Sequence, residues 1–415
     1  MAAPVLQELS SANTSFLSRL SRKTSTGRFI PEIDGLRFIA IAMVVLTHFR
    51  YVFDKNVATL ARGEWLEVVT QQGKYGVHLF FVISGLILGL PFAAHYLGKA
   101  KPINLRAYYL RRVTRLEPPY IAVLTLLFLV RPFLQPDRGG FAEQLPHYLA
   151  SLFYMHNIIY GAYSTVLSPA WSLEVEVQFY VLVPLLALLF RIRTPLTRRL
   201  TLLALAGAAV LLQQAVIPAG LSALTLLGYL QFFLMGFLLA DVYLTTWKEA
   251  PARNWVWDGV ALLSYSVVFV APFVPFLDVQ WYSFFSLIIF VFYFSAFKGI
   301  LARWFVSNPW ISTMGGMCYT IYLIHAPLMT LTAKVCKRLL LTGDFARDLP
   351  ILAAVYLPVL AGVAVVLFML IERPCMEKDW PRRLLNRVRG APPRPAVLPC
   401  EELRCSADGQ TGDRR

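Results

Sequence analysis

Arg37 and His48 stand eleven positions apart in the largely apolar stretch "DGLRFIAIAMVVLTH". At about 100° per residue, that separation closes to within roughly 20° of alignment. A helix therefore puts both on one face, about 16 Å apart along its axis. Lipid penalises both groups, and ionisable side chains in membrane spans turn toward one another or toward water. A guanidinium fork grips phosphate or carboxylate oxygens. An imidazole takes a proton from a hydroxyl or carries an acyl group. Each residue alone also has a plain structural reading: a snorkelling anchor for Arg37 and an interhelical hydrogen bond for His48. A shared face favours a common interior cavity.

Four more groups carry candidate chemistry. In "YYLRRVTRLEPPY", Arg111 and Arg115 share a helix face and Arg112 neighbours Arg115. They form either a phosphate clamp or the positive cluster expected at a cytoplasmic boundary. Glu174 and Glu176 are two apart and point to different sides, so one can face a cavity while a solvated helix-start charge suits Glu174. Ser84 precedes Gly85, a pairing typical of small-residue helix packing, and the sequence shows no base beside it. Cys318, Tyr322 and His325 fall at i, i+4 and i+7, one stripe of a helix, where core packing is the ordinary reading. His95, His147 and His156 read as interfacial or loop residues.

The elements that position these residues follow from composition. The 415 residues are 57% hydrophobic and 15% charged, with a mean hydropathy of +0.57. Uncharged windows long enough to cross a bilayer recur along the chain. They predict an all-α, polytopic membrane helix bundle of about ten transmembrane helices, near 34–53, 75–94, 116–133, 172–190, 200–217, 222–243, 257–275, 281–297, 310–333 and 350–371. Placing both termini in the cytoplasm gathers most Lys and Arg inside, which also accounts for the net charge of +15 without nucleic acid. Five cysteines with no CxxC pair give neither a disulfide framework nor a metal site. The polar, basic residues 1–30 read as a cytoplasmic leader, 31–375 as the membrane domain, and 376–415 as a basic, disordered tail. Residues 134–171 form a long outer connection whose part "HYLASLFYMHNIIY" lies at the interface or dips partway in.

In order along the chain, "IPEIDGLRFIAIAMVVLTHF", "GKYGVHLFFVISGLIL", "YYLRRVTRLEPPY", "WSLEVEVQFYVLVPLL" and "MGGMCYTIYLIHAP" resemble the signature blocks of the integral-membrane acyltransferase 3 family. The resemblance covers about residues 31–375. It implies a membrane O-acyltransferase that takes an acyl group, acetyl in most of the family, from cytoplasmic acyl-CoA. The acceptor is a hydroxyl of an extracytoplasmic cell-envelope polysaccharide or lipid-linked glycan, and the enzyme resides in the bacterial inner membrane. It assigns the donor to Arg37, Arg111, Arg112 and Arg115. In such a reaction His48 is the candidate general base or transient acyl carrier, and Glu176 orients the imidazole or the acceptor. Ser84, Trp171, Tyr322 and His325 line the site, Ser84 beside an acyl channel. His78 departs from the family, which often has an acid there, and Cys318 stands where the family usually has Ser. No permanently bound cofactor or metal is implied. With no soluble domain appended, the acceptor is met by the spans, by 134–171 or by a separate envelope partner. A polytopic secondary transporter or proton-coupled permease is the alternative, since it too places His, Glu and Arg inside spans.

Overall fold

The computed structural model describes residues 20–22, 29–56, 65–98, 100–135, 139–216, 224–270, 281–339, 345–377 and 380–381. Most of the expected leader and tail lie outside the described residues. The chain is all-α. Helix α1 (Pro31–Asn56) is followed by α2 (Trp65–Gln71), α3 (Gly76–Tyr96), α4 (Leu105–Leu134), α5 (Phe141–Leu152), α6 (His156–Tyr160) and α7 (Trp171–Leu186). Then come α8 (Pro195–Val216), α9 (Leu230–Thr245), α10 (Val256–Val270), α11 (Trp281–Lys298), α12 (Ile300–Val306), α13 (Pro309–Gly316), α14 (Cys318–Leu339) and α15 (Phe345–Leu367). A π-helical turn, Phe368–Glu372, closes the last span.

Among the described residues, six helical segments are long and apolar enough to cross a membrane, or seven if α11 and α12, bent by 90°, form one span. Two further apolar helices, Leu230–Thr245 and Val256–Val270, are shorter. The windows near 222–243 and 257–275 carry these two shorter helices, the window near 281–297 carries α11, and the window near 310–333 is divided between α13 and α14. At Gly299 the break is fixed by Asp258, whose carboxylate accepts from Ile300 N (2.9 Å) and Ala302 N (2.8 Å) at the start of α12.

Helix α1 is central, packing against α3, α13 and α14. Pro31 opens it, and Glu32 and Asp34 in its first turn complement the positive end of the helix dipole. Backbone approach sets the crossings. A Cβ on Gly315 would lie 1.6 Å from Asp34 O, and one on Gly35 would lie 1.9 Å from Val306 O. The α3–α9 contact is reciprocal: a Cβ on Gly85 would stand 2.2 Å from Phe233 O, and one on Gly236 2.3 Å from Val82 O. Small residues let membrane helices close to this range. Because the obstructing atoms are backbone, Gly236→Ala is expected to destabilise the bundle by about 1–3 kcal/mol. A lower unfolding midpoint in detergent would show it. Elsewhere, α8 is tied to α9 by buried Arg198 and by Arg199, whose Nε atoms donate to the two oxygens of Asp241 at 2.6 and 2.7 Å.

The connection 134–171 contains α5 and α6. Helix α5 turns Phe141, Leu145 and Leu149 outward, four residues apart. On its other side Ser151 O accepts from Tyr120 Oη at 2.8 Å, and Ser151 Oγ bonds Ser164 Oγ at 2.7 Å. Two readings of this region change. Glu174 is not a solvated charge: it is fully buried and accepts from Asn157 N at 2.8 Å, because the first turn of α6 needs an acceptor that Met155 cannot offer. His156 is likewise buried, not a loop residue. Its Nδ1 donates to Ala162 O (3.0 Å), so its Nε2 accepts from His147 Nδ1 at 2.9 Å.

Candidate active site

One cavity of about 810 Å³, its mouth included, lies among α1, α3, α4, α7, α14 and the π-helical turn. Arg37 from α1, Arg112 and Arg115 from α4, and Glu372 from the π turn contribute its charged wall. Ser84 (α3), Glu176 and Tyr180 (α7) line it further along, and Ser172 and Tyr322 lie beside them. Isoleucines, leucines and phenylalanines of α3 complete a largely apolar lining. A mostly apolar cleft with a few convergent polar groups is the usual form of a small-molecule site.

The charged wall is only partly satisfied. Arg37 Nη1 bonds Asp34 Oδ1 at 2.6 Å, with Asp34 almost wholly buried. Nε of Arg112 and Nε of Arg115 are buried without a hydrogen-bond partner among the described residues. The Arg112 guanidinium instead sits over the rings of Tyr108 (5.8 Å) and Tyr180 (5.7 Å), a cation–π arrangement that holds it in place. Glu372 Oε2 accepts from Thr320 N (3.2 Å) and Thr320 Oγ1 (2.5 Å), while its Oε1 has no hydrogen-bond partner among the described residues. Buried N–H groups without acceptors suit an anionic ligand.

Between the arginines and Tyr322, Ser84 Oγ donates to Glu176 Oε1 at 2.5 Å, within the short range of a charge-assisted hydrogen bond. The two residues are 92 positions apart, which is why the sequence shows no base beside Ser84. Tyr322 Oη meets both Ser172 Oγ (2.7 Å) and Pro169 O.

His48 and His325 lie outside this lining. They face each other instead, ring centroids 4.5 Å apart and planes at 89°. The Tyr322 ring, 5.6 Å from that of His325, connects the pair to the cavity. His48 Nδ1 is 2.7 Å from Val44 O, and His325 Nδ1 is 2.6 Å from Tyr322 O. A carbonyl only accepts, so each Nδ1 carries the proton and each Nε2 offers its lone pair. His325 is fully buried with Nε2 unpartnered among the described residues, whereas His48 is half-buried.

Of the residues singled out from the sequence, Arg37, Ser84, Arg112, Arg115, Glu176 and Tyr322 converge on the cavity. His48 and His325 form the adjoining pair. Arg111 is exposed on the outer face of α4 and takes no part in the lining. Trp171 is half-buried with its ring 6.0 Å from Tyr163 and 5.4 Å from Tyr229, off the cavity. His78 is enclosed by Tyr75, Tyr229, Phe232 and Phe285. The sequence reading passed over Asp34 and Glu372. Both were discoverable as carboxylates at the ends of apolar runs, "IDGLRF" and "FMLIERP".

An acyltransferase domain family matches residues 30–373. The peptidoglycan O-acetyltransferase OatA of Listeria monocytogenes is 27% identical over 181 residues, 42% of this chain and 26% of that protein. The O-acetyltransferase OatA of Staphylococcus aureus is 31% identical over 183 residues, 42% of this chain and 27% of the relative. The chain thus spans about a quarter of the length of these curated relatives. No solved structure matches it.

Proposed function

Because the chain belongs to the acyltransferase domain family, we propose that it moves an acyl group, acetyl in the first instance, from cytoplasmic acyl-CoA to a hydroxyl of an extracytoplasmic acceptor. It is an integral, multi-pass protein of the bacterial inner membrane. The acceptor class in this reading is a cell-envelope polysaccharide or lipid-linked glycan, consistent with relatives whose names specify O-acetyl transfer and, for one, peptidoglycan. The topology that goes with it has ten spans and both termini in the cytoplasm, so that α1 runs outward from Arg37 to His48. Residues 31–375 form the catalytic membrane domain, between a cytoplasmic leader and a cytoplasmic tail. A separate envelope partner can present the acceptor.

The observation that carries this reading is the continuous series from partly satisfied guanidiniums, through the Ser84–Glu176 bond and Tyr322, to the perpendicular histidine pair. Arg37, Arg112 and Arg115 hold the CoA phosphates, with Arg111 left at the boundary as a steering charge. The pantetheine arm runs along the apolar wall and brings the thioester toward Tyr322. His48, held as the Nδ1–H tautomer by Val44 O, takes the acceptor's hydroxyl proton on Nε2. The oxygen so freed attacks the thioester carbonyl, the C–S bond breaks, and CoA leaves as the thiolate, which then takes up the proton. His325 packs edge-on against His48 and fixes its plane. Glu176 keeps the middle of the cavity anionic and ordered.

The short Ser84–Glu176 bond favours a second reading, in which Glu176 takes the Ser84 proton and Ser84 Oγ carries the acyl group before the acceptor receives it. Ser84→Ala separates the two. With direct transfer to the acceptor, the variant keeps activity to within roughly tenfold, the scale of one charge-assisted hydrogen bond. With Ser84 as carrier, turnover is abolished and no labelled enzyme forms from labelled acetyl-CoA. The function as a whole is tested by following label from acetyl-CoA into envelope glycans of membranes. Uptake driven by an ion gradient, without acylation, would replace the acyltransferase with a transporter.

A further inference from the structure

Arg22 lies just ahead of the first span, among residues that carry no motif. The neighbouring Leu20 is buried. A Cβ on Gly316, itself part of the cavity wall, would touch Arg22 Cβ at 3.6 Å. Arg22 Nε stands 3.6 Å from Asp34 Oδ2, the carboxylate that also binds Arg37. Yet Nε and Nη1 of Arg22 are buried with no hydrogen-bond partner among the described residues, as are Nε of Arg112 and of Arg115.

Four guanidiniums thus gather with three carboxylates, Asp34, Glu372 and Glu176; one oxygen of Glu372 is committed to Thr320 and one of Glu176 to Ser84. Burial, and then the charge of Arg37, push the Arg22 guanidinium down to about 9, against the attraction of Asp34. Such a cluster is short of negative charge. It would gain most from a ligand bringing several phosphate oxygens at once, which guanidinium forks fit in pairs.

We propose that Arg22 binds the phosphates of the CoA donor together with Arg37, Arg112 and Arg115, so that residues 20–22 form one wall of the donor site. This rests on the donor reading given above. The phosphate source in this proposal is the nucleotide end of CoA, not a lipid headgroup.

The test uses the full chain in nanodiscs of zwitterionic lipid, with CoA binding measured by calorimetry. For turnover, KM is compared between acetyl-CoA and acetyl-pantetheine, which lacks phosphates. Arg22→Ala and Arg22→Gln are expected to weaken CoA binding about tenfold, the scale of one hydrogen bond to a charged group. Arg22→Lys falls between them and wild type. The KM for acetyl-pantetheine and the kcat with either donor stay as in wild type. Equal CoA affinity in wild type and Arg22→Ala overturns this inference and leaves the donor reading standing. Absence of CoA binding by wild type overturns both. A parallel loss with acetyl-pantetheine marks Arg22 as purely structural. An Arg22 effect that appears only in nanodiscs containing anionic lipid assigns the residue to a headgroup. Either result overturns the proposal.

Discussion

His48→Ala is expected to lower the transfer of labelled acetyl from acetyl-CoA to the acceptor by about 10²–10⁴-fold, the usual contribution of a positioned general base. CoA binding should be unaffected, because His48 lies beyond Tyr322 and outside the cavity that the arginines line. The expectation rests on the tautomer: Val44 O consumes the Nδ1 proton, so the lone pair on Nε2 is available without any rearrangement. His48→Gln should be no better than alanine, since an amide can donate and accept but cannot take up a proton. His325→Gln should cost less than His48→Ala, because His325 acts by holding the His48 ring. Undiminished transfer by His48→Ala would remove His48 from the chemistry and leave the Ser84 route as the one to pursue.

Arg37→Ala should have the largest combined effect on folding and binding. Asp34 is almost wholly buried, and its closest cation is Arg37 at 2.6 Å, with Arg22 a full ångström farther. Removing one partner of such a pair leaves a buried charge poorly compensated and costs about 3–5 kcal/mol. Asp34 also faces Gly315, where an added Cβ would lie 1.6 Å from Asp34 O, so the damage would spread to the α1–α13 crossing. Binding should fall as well, by more than tenfold in CoA affinity, because a donor to phosphate is lost. The double variant Asp34→Asn/Arg37→Ala separates the two losses. It should recover much of the unfolding midpoint and none of the CoA affinity. Recovery of both would mean that Arg37 serves the fold alone.

What the sequence revealed and what it concealed divide along physical lines. Periodicity and apolar length identify a membrane helix bundle, since both are local properties of the chain. The same periodicity put Arg37 and His48 on one face of α1, yet only Arg37 reaches the cavity. A face is broad, and the ring of His48 leans toward α14, where His325 meets it. Neither the Ser84–Glu176 bond nor the His48–His325 pair follows from spacing within one helix, because each depends on how two spans pack. Glu174 was misjudged for a related reason. Its partner is the bare first turn of α6, a demand created by the fold of 141–163 and invisible at position 174 itself. Arg22 carried no signal beyond being one more positive charge ahead of a span, and its approach to Gly316 and Asp34 shows where it goes.

The π-helical turn at Phe368–Glu372 gives the last span a different kind of constraint. Such a turn accommodates one residue more than α-geometry would, so it works as a phase shifter between the lipid-crossing part of the span and its inner end. Its first residue, Phe368, is fully buried in the core. Were the same residues wound as regular α-helix, the surplus residue would swing Glu372 by about 100° about the helix axis. Its carboxylate would then come off Thr320 and out of the arginine cluster, although no charged residue had been touched. At this point of the chain, residue count specifies the site as strictly as residue identity does.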